Sequence, residues 1–185
     1  MTTTANAIDI IHADHANLAR VLDALETALG TGSARPDFEM LERIVYYVRV
    51  FPDRMHHPKE EKFLFPALAK HDPSARPVIE ELERQHAEGM HLLDELANRL
   101  HAADAGYPDG MAALGQAVDT YAAFQRSHIA LEETEILPRA RKLIPDAEWG
   151  AIERAFASDS DPLFGANLET GFRALFTKIT DKITS

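Results

Sequence analysis

Two short stretches of this chain hold the residues best suited to chemistry. One runs His56-His57-Pro58-Lys59-Glu60-Glu61-Lys62-Phe63-Leu64-Phe65-Pro66, the other His128-Ile129-Ala130-Leu131-Glu132-Glu133-Thr134-Glu135-Ile136-Leu137-Pro138. Each reads His, three residues, Glu-Glu, and then an apolar pair followed by Pro. Residues four apart on an α-helix differ by about 40° in direction and share a face. His56 with Glu60, and His128 with Glu132, can therefore aim one imidazole and one carboxylate at the same point. Imidazole and carboxylate together suit iron, manganese or zinc.

The elements that would position them are helices. Ile8, Ile11, His15, Leu18, Leu22, Leu25 and Leu29 form a seam with alternating spacings of three and four, so a first helix is expected up to Gly30. Thr31 to Pro36 read as a turn. Asp37 is expected to cap a second helix whose apolar face is Phe38, Leu41, Ile44, Val45, Val48 and Phe51. Pro52 and Pro58 predict a kink or restart just before the first His/Glu stretch. A third helix is expected from Asp72-Pro73, with a seam through Ile79, Leu82, His86, Met90, Leu93, Leu96 and Leu100. A fourth is expected from about residue 109 to 142. His15 and His86 each lie inside an apolar seam rather than on a polar face.

The two halves repeat. His15 to His86 is an offset of 71, which also carries Leu22, Asp23 and Leu25 onto Leu93, Asp94 and Leu96. His56 to His128 is an offset of 72, carrying Glu60, Glu61 and Pro66 onto Glu132, Glu133 and Pro138. Helix pairs related in this way bring His15, His56, Glu60, His86, His128 and Glu132 to one central place. Buried without partners they would be costly; a bound cation satisfies them together. Two carboxylates between imidazoles suggest a dinuclear centre with Glu60 and Glu132 as bridges. Ferritin-type bundles use a Glu-x-x-His order instead, so that reading is weaker.

Composition narrows the rest. With 30 Asp+Glu against 19 Lys+Arg and a net charge of −11, nucleic acid and anionic membrane surfaces are poor partners. There is no Cys, so any metal must be held by nitrogen and oxygen. Met1-Thr2-Thr3-Thr4-Ala5-Asn6 has no signal-peptide character and no run is long enough to span a membrane. A cytoplasmic protein is expected. The fold class is all-α: an up-down-up-down four-helix bundle over residues 1–142. An extension over 143–185 is expected to add two C-terminal helices. One carries Trp149, Ile152 and Phe156, the other Phe164, Leu168, Phe172, Leu175, Phe176 and Ile179. These either cap the bundle or form a homodimer surface.

The set His15, His56-x3-Glu60, His86, His128-x3-Glu132 resembles the hemerythrin-like HHE cation-binding family over roughly residues 8 to 140. The resemblance implies a four-helix bundle with two non-haem iron ions, bridged by carboxylate and oxo groups, that binds or reacts with O2 or a related small oxidant. It is compatible with oxygen binding or sensing, with peroxide or nitric oxide responses, and with iron storage, donation or iron–sulfur repair. A metal-tuned oligomeric signalling module is a further alternative, and enzymatic turnover as an oxidase or peroxidase is left open. Zinc and manganese rank below iron.

The chain departs from the oxygen carriers of that family, which carry His-x3-His on the third helix. Here the position four after His86 is Met90, a soft ligand ill suited to ferric iron. His12, three residues before His15, is the candidate to replace the missing imidazole. His57, about 100° from His56, reads as a supporting or surface residue. Glu61 and Glu133 are further candidates for ligation or support. Met90, Phe124, Leu93 and Leu131 are expected to keep water from the centre.

Overall fold

The computed structural model describes residues 7–30, 35–158, 161–164, 172–173 and 175–177. The readings made for Met1 to Asn6, for a turn beginning at Thr31, and for Leu168 and Ile179 lie outside the described residues. Among the described residues every regular element is helical, and no helix is long and apolar enough to cross a membrane.

Helix α1 spans Ala7–Ala28 and ends where Gly30 takes φ +77°, a backbone conformation that suits glycine. Helix α2, Phe38–Val50, is capped by the Asp37 carboxylate, which accepts from the Met40 N–H at 3.0 Å. The rod then continues through a π turn at Pro52–His56, α3 at His57–Lys59, a second π turn at Glu60–Leu64 and α4 at Phe65–His71. A 3-10 turn at Pro73–Ala75 leads into α5, Arg76–Gly106. Helix α6, Met111–Leu131, runs through a third π turn at Glu132–Ile136 into α7, Leu137–Leu143, and α8 spans Asp146–Ala157.

The π turns have a local cause. The His57, Phe65 and Leu137 N–H groups donate to the carbonyls of Pro52, Glu60 and Glu132, five residues back. Each of those donors is followed directly by a proline: Pro58, Pro66 and Pro138. A proline ring inside an α-helix crowds the carbonyl four residues earlier and lacks an N–H to give it. Widening the turn by one residue just ahead of the ring relieves both problems. The break expected at 52–58 is therefore a widened helix: Phe51, His56, His57 and Glu60 all keep right-handed helical backbone. All three π turns fall in or beside the His/Glu stretches, so they re-aim those side chains.

The buried apolar residues divide into two clusters. One joins Leu18, Leu22, Leu25, Leu41, Val48, Leu93, Leu96, Val118 and Tyr121. The other joins Ile11, Leu64, Phe65, Leu68, Leu82, Ile136 and Leu137, with Ile152 and Phe156 from α8. His15 and His86 fall in sequence between them, after Ile11 and Leu82 and before Leu18 and Leu93. The polar layer is thus held in place by apolar burial on both sides, each large side chain contributing about 1.5–3 kcal/mol. Helix α8 packs on α1, α3 and the second π turn. The Phe156 ring stands edge-on to His56 at 5.8 Å, and the Lys59 ammonium lies 5.9 Å from the same ring. Beyond α8, the buried Asp161 carboxylate accepts from Tyr47 Oη–H at 3.0 Å, Asn17 Nδ2–H at 3.2 Å and the Leu163 and Phe164 backbone N–H groups. Leu163, Phe172 and Leu175 join the first cluster.

The third-helix seam differs from the expected one. It runs Ile79, Leu82, His86, Gly89, Leu93, Leu96 and Leu100, all buried, while Met90 is 48% exposed. A Cβ at position 89 would meet Gln125 Nε2 and Phe124 Cε1 at 3.4 Å. A side chain at position 89 would touch α6, and Met90, about 100° further round the helix, faces outward.

Candidate metal centre

Between the two apolar clusters lie His15, His56, His57, Glu60, His86, His128 and Glu132, none more than 7% exposed. Four of the imidazoles are oriented from behind. Glu133 Oε1 meets His15 Nδ1 at 3.1 Å, Asp14 Oδ2 meets His56 Nδ1 at 2.9 Å, Glu61 Oε1 meets His86 Nδ1 at 2.8 Å, and Gln85 Oε1 meets His128 Nδ1 at 3.0 Å. Holding Nδ1 in this way fixes the ring and leaves Nε2 facing inward, as outer partners of metal-binding histidines do.

The inward atoms fall into two halves joined by the two carboxylates. Glu60 turns Oε1 toward His56 Nε2 at 3.3 Å and Oε2 toward His86 Nε2 at 3.6 Å. Glu132 turns Oε2 toward His15 Nε2 at 3.0 Å and Oε1 toward His128 Nε2 at 3.3 Å and His86 Nε2 at 3.7 Å. Each carboxylate thus gives one oxygen to the His15/His56 half and the other to the His86/His128 half. Ligand atoms of His57, His86 and His128 lie within 4.8 Å of one another, as do those of His15, His56 and Glu60, and of Glu60, His86 and Glu132.

These atoms fit a cation better than they fit each other. Nε2 of His56, His86 and His128, both Glu60 oxygens and Glu132 Oε1 are buried without a hydrogen-bond partner. Such orphaned groups are rare in folded proteins. Neighbouring ligands at right angles around an ion with bonds of ~2.1 Å lie ~3 Å apart, close to the separations found. The protonation pattern follows the same charges. Burial alone would lower His15 and His86, but the neighbouring Glu132 and Glu60 carboxylates outweigh it and raise both. Burial also opposes the charge on His56, yet Glu60 and Asp14 hold it up at about 10. Burial and the adjacent imidazoles push His57 well below its usual value. Burial would raise Glu132, but the imidazoles of His128, His15 and His86 beside it outweigh that and hold it well below the carboxylate range.

His57 is the fifth inward imidazole. Its ring stacks on His86 at 4.1 Å and 8°, and its Nδ1 lies 3.8 Å from Asp53, beyond hydrogen-bond reach. The expectation of a supporting or surface position assumed α-helical spacing; the π turn at Pro52–His56 lets two consecutive histidines turn inward. Met90 is a correction: it faces solvent and can neither reach the cluster nor shield it. His12 is also turned outward, 48% exposed in its side chain, with Nδ1 3.2 Å from Glu133 Oε1. His12 therefore does not supply the imidazole missing at position 90. His101 is exposed, with Nε2 3.9 Å from Glu42.

Asp14 and Gln85 were missed in the sequence, although each immediately precedes a seam histidine. Under the internal repeat they correspond to one another, as do Glu61 and Glu133. His57 corresponds to Ile129, and there the two halves differ. A cavity of about 10 Å³ borders His15, His56, His57 and His128, closed by Leu18, Phe51, Pro52 and Ile129. Those apolar residues, not Met90, Phe124, Leu93 and Leu131, line it. The space suits about one water-sized molecule.

The hemerythrin HHE cation-binding domain profile matches residues 6–140. Uncharacterized proteins of Mycobacterium tuberculosis and Mycobacterium bovis are 26% identical to the chain over 134 residues, covering 72% of it and 51% of their own length. The chain therefore spans about half the length of the curated relatives it matches. Both inner carboxylates, all four histidines of the paired pattern and His57 fall within the matched region, and this chain belongs to the hemerythrin HHE cation-binding domain family.

Proposed function

We propose that the chain holds two iron ions in a dinuclear centre and binds O2 or a related small oxidant there. In this reading His15 and His56 would hold one ion, His57, His86 and His128 the other, and Glu60 and Glu132 would offer an oxygen to each. The observation that carries it is the division of each carboxylate, one oxygen to either half. When bound, such a pair supplies two-electron redox chemistry at a site open to one small molecule.

The chain's own residues do the rest. His57 takes the place of the histidine absent at Met90, giving three imidazoles on one side and two on the other. Ile129, where the repeat would put a second His57, leaves space bordered by His15, His56, His57 and His128. Leu18, Phe51 and Ile129 keep that space apolar and too small for anything much larger than a diatomic molecule. Asp14, Glu61 and Glu133 place negative charge behind three imidazoles and Gln85 a neutral amide behind the fourth. The bundle of residues 1–142 runs up-down-up-down, with residues 143–185 as an extension, and the protein works in the cytoplasm.

The test is the optical spectrum and metal content of protein purified in air. Two irons per chain, with near-ultraviolet charge-transfer bands that change when reduced protein meets O2, are expected. Reversal of that change under argon identifies a carrier or sensor, and irreversible change an oxidase. A colourless zinc protein, or one with no metal, overturns the reading.

A second reading, iron donation, is favoured by Glu61 and Glu133, whose side chains are 43% and 38% exposed while touching buried histidines. Transfer of iron to a chelator within minutes, without O2 chemistry, would select it.

A further inference from the structure

We infer that His12 and Glu133 form an outer binding site for a divalent cation, from which ions pass inward to His15 and Glu132. The inference rests on the dinuclear reading above.

The central groups are almost wholly closed off from water, so an ion must arrive through polar groups that reach the surface. His12 and Glu133 form such a pair, Nδ1 to Oε1 at 3.2 Å, with side chains 48% and 38% exposed. They stand directly outside a second pair of the same chemistry, His15 Nε2 with Glu132 Oε2 at 3.0 Å. His12 is one turn before His15, and Glu133 is next to Glu132. Glu133 links the two pairs: its Oε1 also meets His15 Nδ1 at 3.1 Å, on the opposite side of the ring from the Nε2 that meets Glu132. Only the His15 ring therefore separates an ion held by His12 and Glu133 from the inner pair.

The other flanks are less suited. Glu61 reaches His86 from solvent at 2.8 Å, but among the described residues no second imidazole lies on it. The His56 side is covered by Phe156, 2% exposed, with the Lys59 ammonium 5.9 Å from its ring. The internal repeat sharpens the contrast. Glu61 is the counterpart of Glu133, but the counterpart of His12 is Glu83. The outer imidazole thus exists on one half only.

Uptake of Co2+ by metal-free protein tests this, since Co2+ takes the same nitrogen and oxygen ligands and its visible bands report occupancy directly. Wild-type protein is compared by stopped flow with His12→Ala and His12→Lys; the lysine keeps a positive partner for Glu133 but cannot coordinate when protonated. Both variants are expected to fill about tenfold more slowly at limiting Co2+ and to reach the wild-type final content. Unchanged rates in His12→Ala overturn the inference. So does a wild-type rate in His12→Lys, which would make the contact a plain ion pair, or a lower final content, which would make His12 a resident ligand. Wild-type protein that takes up no Co2+ removes the dinuclear reading itself, and this inference with it.

Discussion

Replacing His57 by leucine should move two properties in opposite directions. In the metal-free protein His57 is a buried neutral imidazole with its nearest acidic atom 3.8 Å away. A fully buried polar group without a hydrogen bond costs about 1–3 kcal/mol; the His57 nitrogens are not among the fully buried unpartnered atoms, so the ring carries only part of that cost. The stack on His86 at 4.1 Å offsets about 0.5–1.5 kcal/mol. Leucine fills a similar volume without the polar penalty, so metal-free His57→Leu should be more stable by up to about 1 kcal/mol, a rise of at most about 2–4 °C in Tm for a chain of this size. The loaded protein should suffer the reverse. Losing one of three imidazoles costs more than the 10–100-fold typical of an outer partner, so the affinity of that half should fall at least about 100-fold, or about 2.7 kcal/mol. Calorimetry of the metal-free protein and metal analysis after anaerobic loading and desalting read the two effects. Metal content should drop from two ions to one. Retention of both ions at wild-type affinity would refute the role given to His57. A marked loss of metal-free stability would show that its burial is structural. Met90→His serves as the control and should leave metal content unchanged, because position 90 faces solvent.

Ile129→His, which places an imidazole at the counterpart of His57, should keep both ions but abolish the change in the near-ultraviolet bands when reduced protein meets O2; metal analysis and the optical spectrum check this. Metal-free protein should lose stability as pH rises from neutrality to about 10, read from urea midpoints: folding raises His56 from 6.5 to about 10, so its contribution is complete below 6.5 and lost as pH passes through 10. The loaded protein should instead fail on acidification, because protons compete for the ligands. Tyr47→Phe removes one of the donors to buried Asp161 and should cost about 1–2 kcal/mol, measured by denaturant unfolding.

Much of the centre was legible because its chemistry is periodic. His-x3-Glu occurs twice, a histidine sits in an apolar seam twice, and one offset nearly superposes both halves. Helical spacing alone then brings six of the seven inner groups to one layer. Three features escaped for different reasons. His57 was discounted because the 100° step between neighbours holds for an α-helix, not for the π turn beside it. Gly89 was passed over because a glycine adds nothing to an apolar seam, so Met90 was put in its place. Asp14 and Gln85 look like ordinary helix-surface residues; only the fold shows that each reaches across to a histidine on another element. Pro52 and Pro58 predict a kink or restart, Pro66 and Pro138 only close the repeated stretches, and the pairing of Pro58, Pro66 and Pro138 with widened turns needed the backbone.

That pairing bears on how portable the site is. The aim of His56, His57, Glu60 and Glu132 depends on widened turns set by Pro58, Pro66 and Pro138, none of which has the chemistry of a ligand. Grafting only the histidines and glutamates onto a straight four-helix scaffold would transplant the donor atoms without their directions. A designer would have to carry the prolines across as part of the cassette, and a sequence search keyed to His and Glu alone would admit chains that cannot build it.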